Sequence, residues 1–435
     1  MFLCNFIARS RTRFSEGNRA LRPACGKNFD RIAFEMLRFL TAGESHGQAL
    51  LVIIDGVPAG LPLDADDIAA DLARRQLGYG RGRRMAIERD RAEILSGVRH
   101  GETLGSPIAL QIPNRDWTNW LHSMAVDMPS DDLPGARRAT VTRPRPGHAD
   151  LSGGLKFDRD DLRDVLERAS ARETAARVAA GAVARRLLAG IGIHITSHVT
   201  AIGGVALADA LSVTYAQASA LADDDDVRCV DAGVATAMKA AIDAAKAAGD
   251  TVGGVFEVIA HAVPPGLGSH THWDRKLDGR LAQALMSIHA IKNVGIGLGW
   301  DAGSRPGSQV HDEILATTEP TGTVPGIARP TNRAGGLEGG VTNGEDVRVT
   351  AVMKPIATLM QPLRSVDLTT MADAPATIER SDVCAVPAAA VVGEAMVAWV
   401  LAEAALEKFG GDTLADFQSA YTQYMSRIAA RLTRT

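Results

Sequence analysis

Leu50-Leu51-Val52-Ile53-Ile54, then Val57-Pro58-Ala59-Gly60-Leu61, then Asp64 to Gln76 reads as strand, turn and helix in one run. Five apolar residues suit a short buried strand. Pro58 and Gly60 supply turn chemistry. Asp64 can cap a helix with Ile68 and Leu72 on one face, Arg74 and Arg75 in its last turn and Gly78 beyond it. A related pattern returns in the second half of the chain. Val255 to Ile259 reads as a strand, Val263-Pro264-Pro265-Gly266-Leu267 as the turn, and Leu277, Leu281, Leu285 and Ile288 as a helix face. The echo is short, and V-P-x-G-L is ordinary turn chemistry. It hints at internal duplication: two similar halves about a pseudo-twofold, in a mixed α/β (α+β) fold.

The 435-residue chain has a formal net charge of −4, so its bulk field does not attract polyanions. Any anionic ligand needs a local cationic patch. Aromatics make up 4% against 43 glycines, which favours close packing of small residues. Cys4, Cys25, Cys229 and Cys384 form no C-x-x-C pair, so free thiols in a reducing cytoplasm are expected, without metal. Residues 1–35 are basic and without period. They read as an extension ahead of a start at Met36, an organellar transit peptide being the alternative. Residues 36–411 then form a single catalytic domain and 412–435 a tail. Ala385 to Leu401 approaches the roughly 20 residues of a membrane span. Its alanines, Gly393 and Glu394 argue for a buried core helix and no membrane partner. The acidic run Asp223 to Asp226 reads as a solvated loop.

Six constellations could carry chemistry. Gly43-Glu44-Ser45-His46-Gly47 brackets a polar triplet with glycines, which permit close ligand approach. Its Ser-His neighbours lack the G-x-S-x-G elbow of a hydrolase. Arg74, Arg75, Arg81, Arg83 and Arg84 surround a Gly-rich loop. The helix dipole accounts for one of the first two, and the others could fork onto phosphate or carboxylate. Arg143-Pro144-Arg145-Pro146-Gly147-His148-Ala149-Asp150 presents a histidine on a stiffened loop beside arginines. Arg168-Ala169-Ser170-Ala171-Arg172-Glu173 has capping-box spacing ahead of a helix, and such a start also receives anions. Asn332 to Val341 carries two glycine pairs and leads to Lys354-Pro355-Ile356-Ala357-Thr358. No G-x-G-x-x-G follows a strand, so no Rossmann site is indicated. Arg380-Ser381-Asp382 precedes the buried helix, with Asp382 either a cap or catalytic.

In this order and spacing the motifs resemble the chorismate synthase family, in its bacterial form, from Met36 to about Gly411. The resemblance implies that family's fold, a β-α-β sandwich. It implies 1,4-anti elimination of phosphate from 5-enolpyruvylshikimate 3-phosphate, using reduced FMN without net redox change, with NADPH a candidate reductant. It implies His46 and His148 as catalytic acids and Asp382 as a proton-moving partner. Substrate contacts fall on Arg75, Arg81, Arg84, Arg145, Arg172 and Arg380. Flavin contacts fall on Arg168, Ala169, Ser170, His289, Ala290, Gly339, Lys354, Pro355, Ile356, Ala357, Thr358 and again Arg380. NADP contacts fall on Arg75 and Arg81. His289 departs from the Asn or Gln common in the family. A cytoplasmic homotetramer is implied. A flavin oxidoreductase and a nucleic-acid-binding module are the rival readings. The acidic chain and the single nearby aromatic, Tyr79, argue against nucleic acid.

Overall fold

The computed structural model describes residues 37–82, 89–127, 140–379 and 382–432. The extension at 1–35 and the site candidates Arg84 and Arg380 lie outside the described residues. From Leu37 onward the described chain belongs to one compact unit.

The first half opens with β1 (Arg38–Ala42), β2 (Ala49–Asp55) and α1 (Ala65–Gln76). Next come β3 (Glu93–Ser96), the small pair β4 (Val98–Arg99) and β5 (Glu102–Thr103), and β6 (Ile108–Pro113). Helices α2 (Asp150–Phe157), α3 (Arg163–Leu166) and α4 (Thr174–Ala189) close it. The second half holds β7 (His194–Ile202), β8 (Val205–Ala206), α5 (Tyr215–Ser219), α6 (Ala232–Ala247) and β9 (Gly254–His261). It continues through α7 (Leu277–Met286), β10 (Ile291–Ile296), β11 (Leu315–Ala316), β12 (Ile327–Ala328), β13 (Leu337–Glu338) and β14 (Val341–Thr342). Then follow β15 (Val347–Met353), β16 (Arg364–Asp367), β17 (Ala372–Pro375), α8 (Val386–Phe409) and α9 (Leu414–Leu432).

The duplication hinted at by the turns runs through both halves. One antiparallel sheet has the order β1-β2-β6-β3, and the other has β7-β9-β15-β10 with β8 added outside β7. Helix α1 follows β2 as α7 follows β9, and α4 follows β6 as α8 follows β15. The two V-P-x-G-L turns are pinned alike. Thr103 Oγ1 donates to Pro58 O and accepts from Leu61 N, at 2.6 and 2.9 Å. Thr342 Oγ1 does the same with Pro264 O and Leu267 N, at 2.7 and 2.8 Å. Each threonine ends a small hairpin whose two central residues, His100-Gly101 or Gly339-Gly340, have positive φ. Two-residue hairpin turns favour that backbone, and glycine adopts it without strain.

Helices α1, α4, α7 and α8 form a layer between the sheets, with α4 against β2 and α8 against β7 and β9. This is the expected β-α-β arrangement. In β2, Leu50, Val52 and Ile54 face the core while Leu51 and Ile53 face outward. Asp64 caps α1 through a complete capping box with Asp67. Small residues let α4 and α8 approach closely: a Cβ on Gly181 would lie 2.3 Å from that of Ala395. Helix α8 is long and apolar enough to cross a membrane by composition, yet nearly all its residues are buried inside the fold. The segment after Gly411 is helical. It docks through buried Phe417, and Tyr424 Oη donates to Pro265 O.

One carboxylate ties the helical layer together. Glu394 on α8 is fully buried and accepts from Arg74 Nη1 and Nη2 at 2.7 and 2.8 Å, Arg185 Nη1 at 2.6 Å and Ser197 Oγ at 2.6 Å. Burial alone would raise its pKa, but the arginines win and hold it at about 2. Glu394→Ala leaves these guanidiniums without their buried counter-charge. We expect a loss of about 3–5 kcal/mol in urea unfolding. A depressed folded pKa stabilises above the ordinary value of 4.5, and that contribution fades as pH falls toward 2. Acid titrations of stability should therefore converge for wild type and variant over that window.

Candidate active site

The loop between β1 and β2 carries His46. Gly43 sits at φ 102°, where an added Cβ would lie 2.3 Å from Ala49 O, so only glycine fits. The segment at 167–170 clamps this loop. Ser45 N donates to Glu167 O at 3.0 Å, and Ser170 Oγ donates to Ser45 Oγ at 3.1 Å. The Arg168 guanidinium reaches Gly43 O at 3.0 Å and Thr41 O at 3.1 Å. From the other side Asn114 Nδ2 donates to Glu44 O and Gly47 O. The His46 ring stacks on Trp120 at 3.9 Å between centroids and 22° between planes. Its Nδ1 lies 2.9 Å from both carboxylate oxygens of buried Glu167, which also accepts from Arg163 at 3.0 Å.

Beside this loop lies buried positive charge. Arg172 donates through Nε to Asn114 Oδ1 at 2.9 Å and through Nη1 to both oxygens of Asp90 at 2.6 Å. Arg75 reaches the same Asp90 only at 3.6 Å. Its other bonds are to Thr174 Oγ1 and Ala171 O, and its Nη1 is buried without a hydrogen-bond partner. Burial first, and then Arg172 and Arg81, pull the Arg75 pKa down to about 9 against the pull of Asp90. It stays charged at neutral pH, with its Nη1 short of a hydrogen-bond partner among the described residues. Arg81 pairs with Asp382 at 2.8 Å, and Gly82 N donates to the same carboxylate at 2.6 Å. Asp382 therefore holds the arginine loop; α8 starts after Ala385 with no side-chain cap.

The second histidine has a matching surround. His148 Nδ1 lies 2.5 Å from Asp150 Oδ1. Arg145 forks onto Asp150 through Nε and Nη2, at 2.8 and 3.0 Å, and donates through Nη1 to Thr358 Oγ1 at 3.1 Å. Arg145, expected to bind substrate, is thus engaged in bracing His148. A Cβ on Gly147 would meet Lys354 Nζ and Ala357 Cβ, so this loop abuts 354–358. Lys354 N donates to Ala290 O at 2.9 Å, which brings the 289–290 pair to the same place. His289 Nδ1 is buried with no hydrogen-bond partner. Burial above all pulls its pKa down to about 4; Glu173 opposes, and Arg177, His148 and Arg75 reinforce. It is neutral at pH 7 and available to a polar ligand edge. Gly339 lies in the turn that contacts the start of α7, the helix that leads to His289.

Sequence reasoning passed over Glu167, Asp90, Asn114, Trp120 and Arg163. Asp150 stood inside a quoted motif with no task. Glu167 adjoins Arg168, and that adjacency was its one available signal. The expected capping box at Ser170 forms only in part. Ser170 Oγ accepts from Arg172 N, but Glu173 turns away to Thr41 Oγ1 and Arg177, and the first turn, Ala171–Glu173, is 3-10. Among the described residues no group of side chains could hold a metal ion, and Cys229 and Cys384 are free buried thiols.

The chorismate synthase family model matches residues 37–406. Chorismate synthase of Moorella thermoacetica is 60% identical over 396 residues, covering 90% of this chain and 100% of the relative. That of Geobacter sulfurreducens is 56% identical over 397 residues, covering 91% and 100%. A crystal structure of chorismate synthase superposes with a TM-score of 0.70 at 44% identity, covering 91% of this chain and 98% of that one.

The orphaned Nη1 of buried Arg75 predicts anion-linked stability. Inorganic phosphate at roughly 100 times its dissociation constant should add about 2.7 kcal/mol. Arg75→Gln should weaken that binding about tenfold, near 1.4 kcal/mol. Differential scanning calorimetry at matched ionic strength checks this, through the loss of the phosphate-dependent rise in Tm.

Proposed function

The chain belongs to the chorismate synthase family of lyases, and we propose that it converts 5-enolpyruvylshikimate 3-phosphate to chorismate with reduced FMN. The observation that carries this reading is buried Arg75, whose Nη1 has no hydrogen-bond partner among the described residues, beside Arg172 and the His46 loop, with His148 near His289 and Lys354. A highly anionic substrate offers that guanidinium a partner.

The reaction breaks a carbon–oxygen bond to phosphate and a ring carbon–hydrogen bond, and forms a second ring double bond. Arg75, Arg172, Arg81 and, outside the described residues, Arg84 and Arg380 hold the phosphate and carboxylates. His46 donates its Nε2 proton to the departing phosphate, which is a poor leaving group while fully charged. A positioned acid of this kind is worth about 10²–10⁴ in rate.

The residues fit a flavin phosphate and ring edge. Among the described residues, His289 offers a neutral imidazole with an orphaned Nδ1, and Lys354 offers an ammonium with a 3.3 Å contact to Pro355 O as its one hydrogen bond. Burial, and then Lys292, lower the Lys354 pKa, so a phosphate there gains a partly desolvated cation. Arg168, Ala169 and Ser170 at the start of α4, His289–Ala290, and Lys354 to Thr358 would hold FMN, with Arg380. Gly339 joins this set only as a family expectation. Bound and reduced there, FMN would supply electron density toward phosphate expulsion and an acceptor for the ring hydrogen, without net oxidation. His148 holds a proton on the flavin side, and Asp382 would assist proton movement there. NADPH is the candidate reductant, and Arg75 and Arg81 are the residues that would hold it.

We take residues 36–411 as the catalytic domain, 1–35 as an extension and 412–435 as a tail. The working form is a cytoplasmic homotetramer acting on a small molecule, without nucleic-acid or membrane partners.

Phosphate release from the enolpyruvyl substrate should require FMN under reducing, anaerobic conditions. Equal release without flavin contradicts the reading. Stoichiometric NADPH consumption per product would favour an oxidoreductase. His46→Ala should lower turnover about 10²–10⁴-fold while substrate still binds.

A further inference from the structure

His46 and His148 lie on different loops, yet each carries the same second layer. The Nδ1 of each is directed at a buried carboxylate held by an arginine; at His148 the Arg145 Nη2 also lies 3.1 Å from Nδ1, and the 2.5 Å contact to Asp150 Oδ1 is the shorter of the two. Glu167 is 1% exposed and bound by Arg163; Asp150 is 0% exposed and bound by Arg145. We infer that Glu167 and Asp150 are positioning residues that keep the proton on Nδ1, so that Nε2 alone exchanges protons at both histidines. This rests on the proposed acid roles of His46 and His148.

A carboxylate can only accept here, so it favours the ring form with hydrogen on Nδ1. The arginines stop the carboxylate from taking the proton itself. Burial works to raise the pKa of both carboxyls. Hydrogen bonds from the histidines, with the arginine charges, prevail and hold both below the usual range. His46 is further restrained: Trp120 covers one face, and Glu167 binds both its Nδ1 and its backbone N–H, at 2.9 Å. The chain contains an internal contrast. His198 also meets an arginine-bound carboxylate, Glu257 with Arg348, but through Nε2 at 2.8 Å and in full burial. His46 and His148 keep 16% and 19% of their side chains accessible. The same triad thus serves packing in one place and directs a reachable histidine in two others.

The test is 15N NMR of the full-length, histidine-labelled protein, recorded where these rings are neutral. Signals are assigned by their loss in His46→Gln and His148→Gln. The expected result is Nδ1–H, with Nε2 unprotonated, at both. Glu167→Gln should let His46 populate both tautomers and lower kcat roughly 100-fold or more, with KM changed only a few-fold. An Nε2–H tautomer in the wild type overturns the inference, and needs no variant to fold. So does a Glu167→Gln protein with wild-type kcat. Should His46→Ala keep full turnover, the acid role itself fails; should it lose turnover while Glu167→Gln does not, only the positioning role fails.

Discussion

Burying guanidinium groups is the constraint on which this molecule turns. An unpaired buried charge costs several kcal/mol, so each buried arginine calls for a carboxylate. Arg74 has Glu394, Arg145 has Asp150 and Arg348 has Glu257, all in direct hydrogen-bonded contact. Arg172 and Arg75 share Asp90, and Arg172 has the close contact. Arg228 is the exception in the core: it is buried, meets Glu394 at 3.5 Å, and its Nε and Nη1 have no hydrogen-bond partner among the described residues. At another point, beside the His46 loop, Arg75 lies 3.6 Å from Asp90 and its Nη1 has no hydrogen-bond partner among the described residues.

The duplication explains how such a point arises. Both halves build the same sheet, turn and helix, down to the threonine that pins each turn. The site breaks that symmetry. The first half contributes His46, Arg75 and Asp90, and the 3-10 turn ahead of α4 places Arg172 beside them. The second half contributes His289 and the stretch from Lys354, while the loop at 145–150 bridges to Thr358. A repeated scaffold thus presents one cationic wall and one wall suited to a flat cofactor.

Much of the fold was legible because turn chemistry and helix periodicity are local. The strand, turn and capped helix from Leu50 to Gln76 could be read directly, and the short echo at Val263 marked the repeat. The equivalence of Thr103 and Thr342 could not be read, since it lies in hydrogen bonds between distant segments. Arg74 and Arg75 show the limit well. The dipole argument treats them alike, yet about 100° of rotation per residue sends one to Glu394 in the core and the other to the site. Glu167 was invisible for a similar reason: its meaning is a contact across 121 positions with His46. Asp382 was left open between cap and catalyst, and its bond from Gly82 N, beside its pairing with Arg81, needed the fold to bring 300 positions together.

The proposed site places the substrate's phosphate or carboxylates on Arg75 and Arg172. A crystal structure of the protein with 5-enolpyruvylshikimate 3-phosphate addresses it directly. The account predicts ligand oxygens within hydrogen-bond distance of both guanidiniums, and the phosphate within reach of His46 Nε2. A bound ligand that leaves Arg75 and Arg172 with Asp90 alone would contradict it.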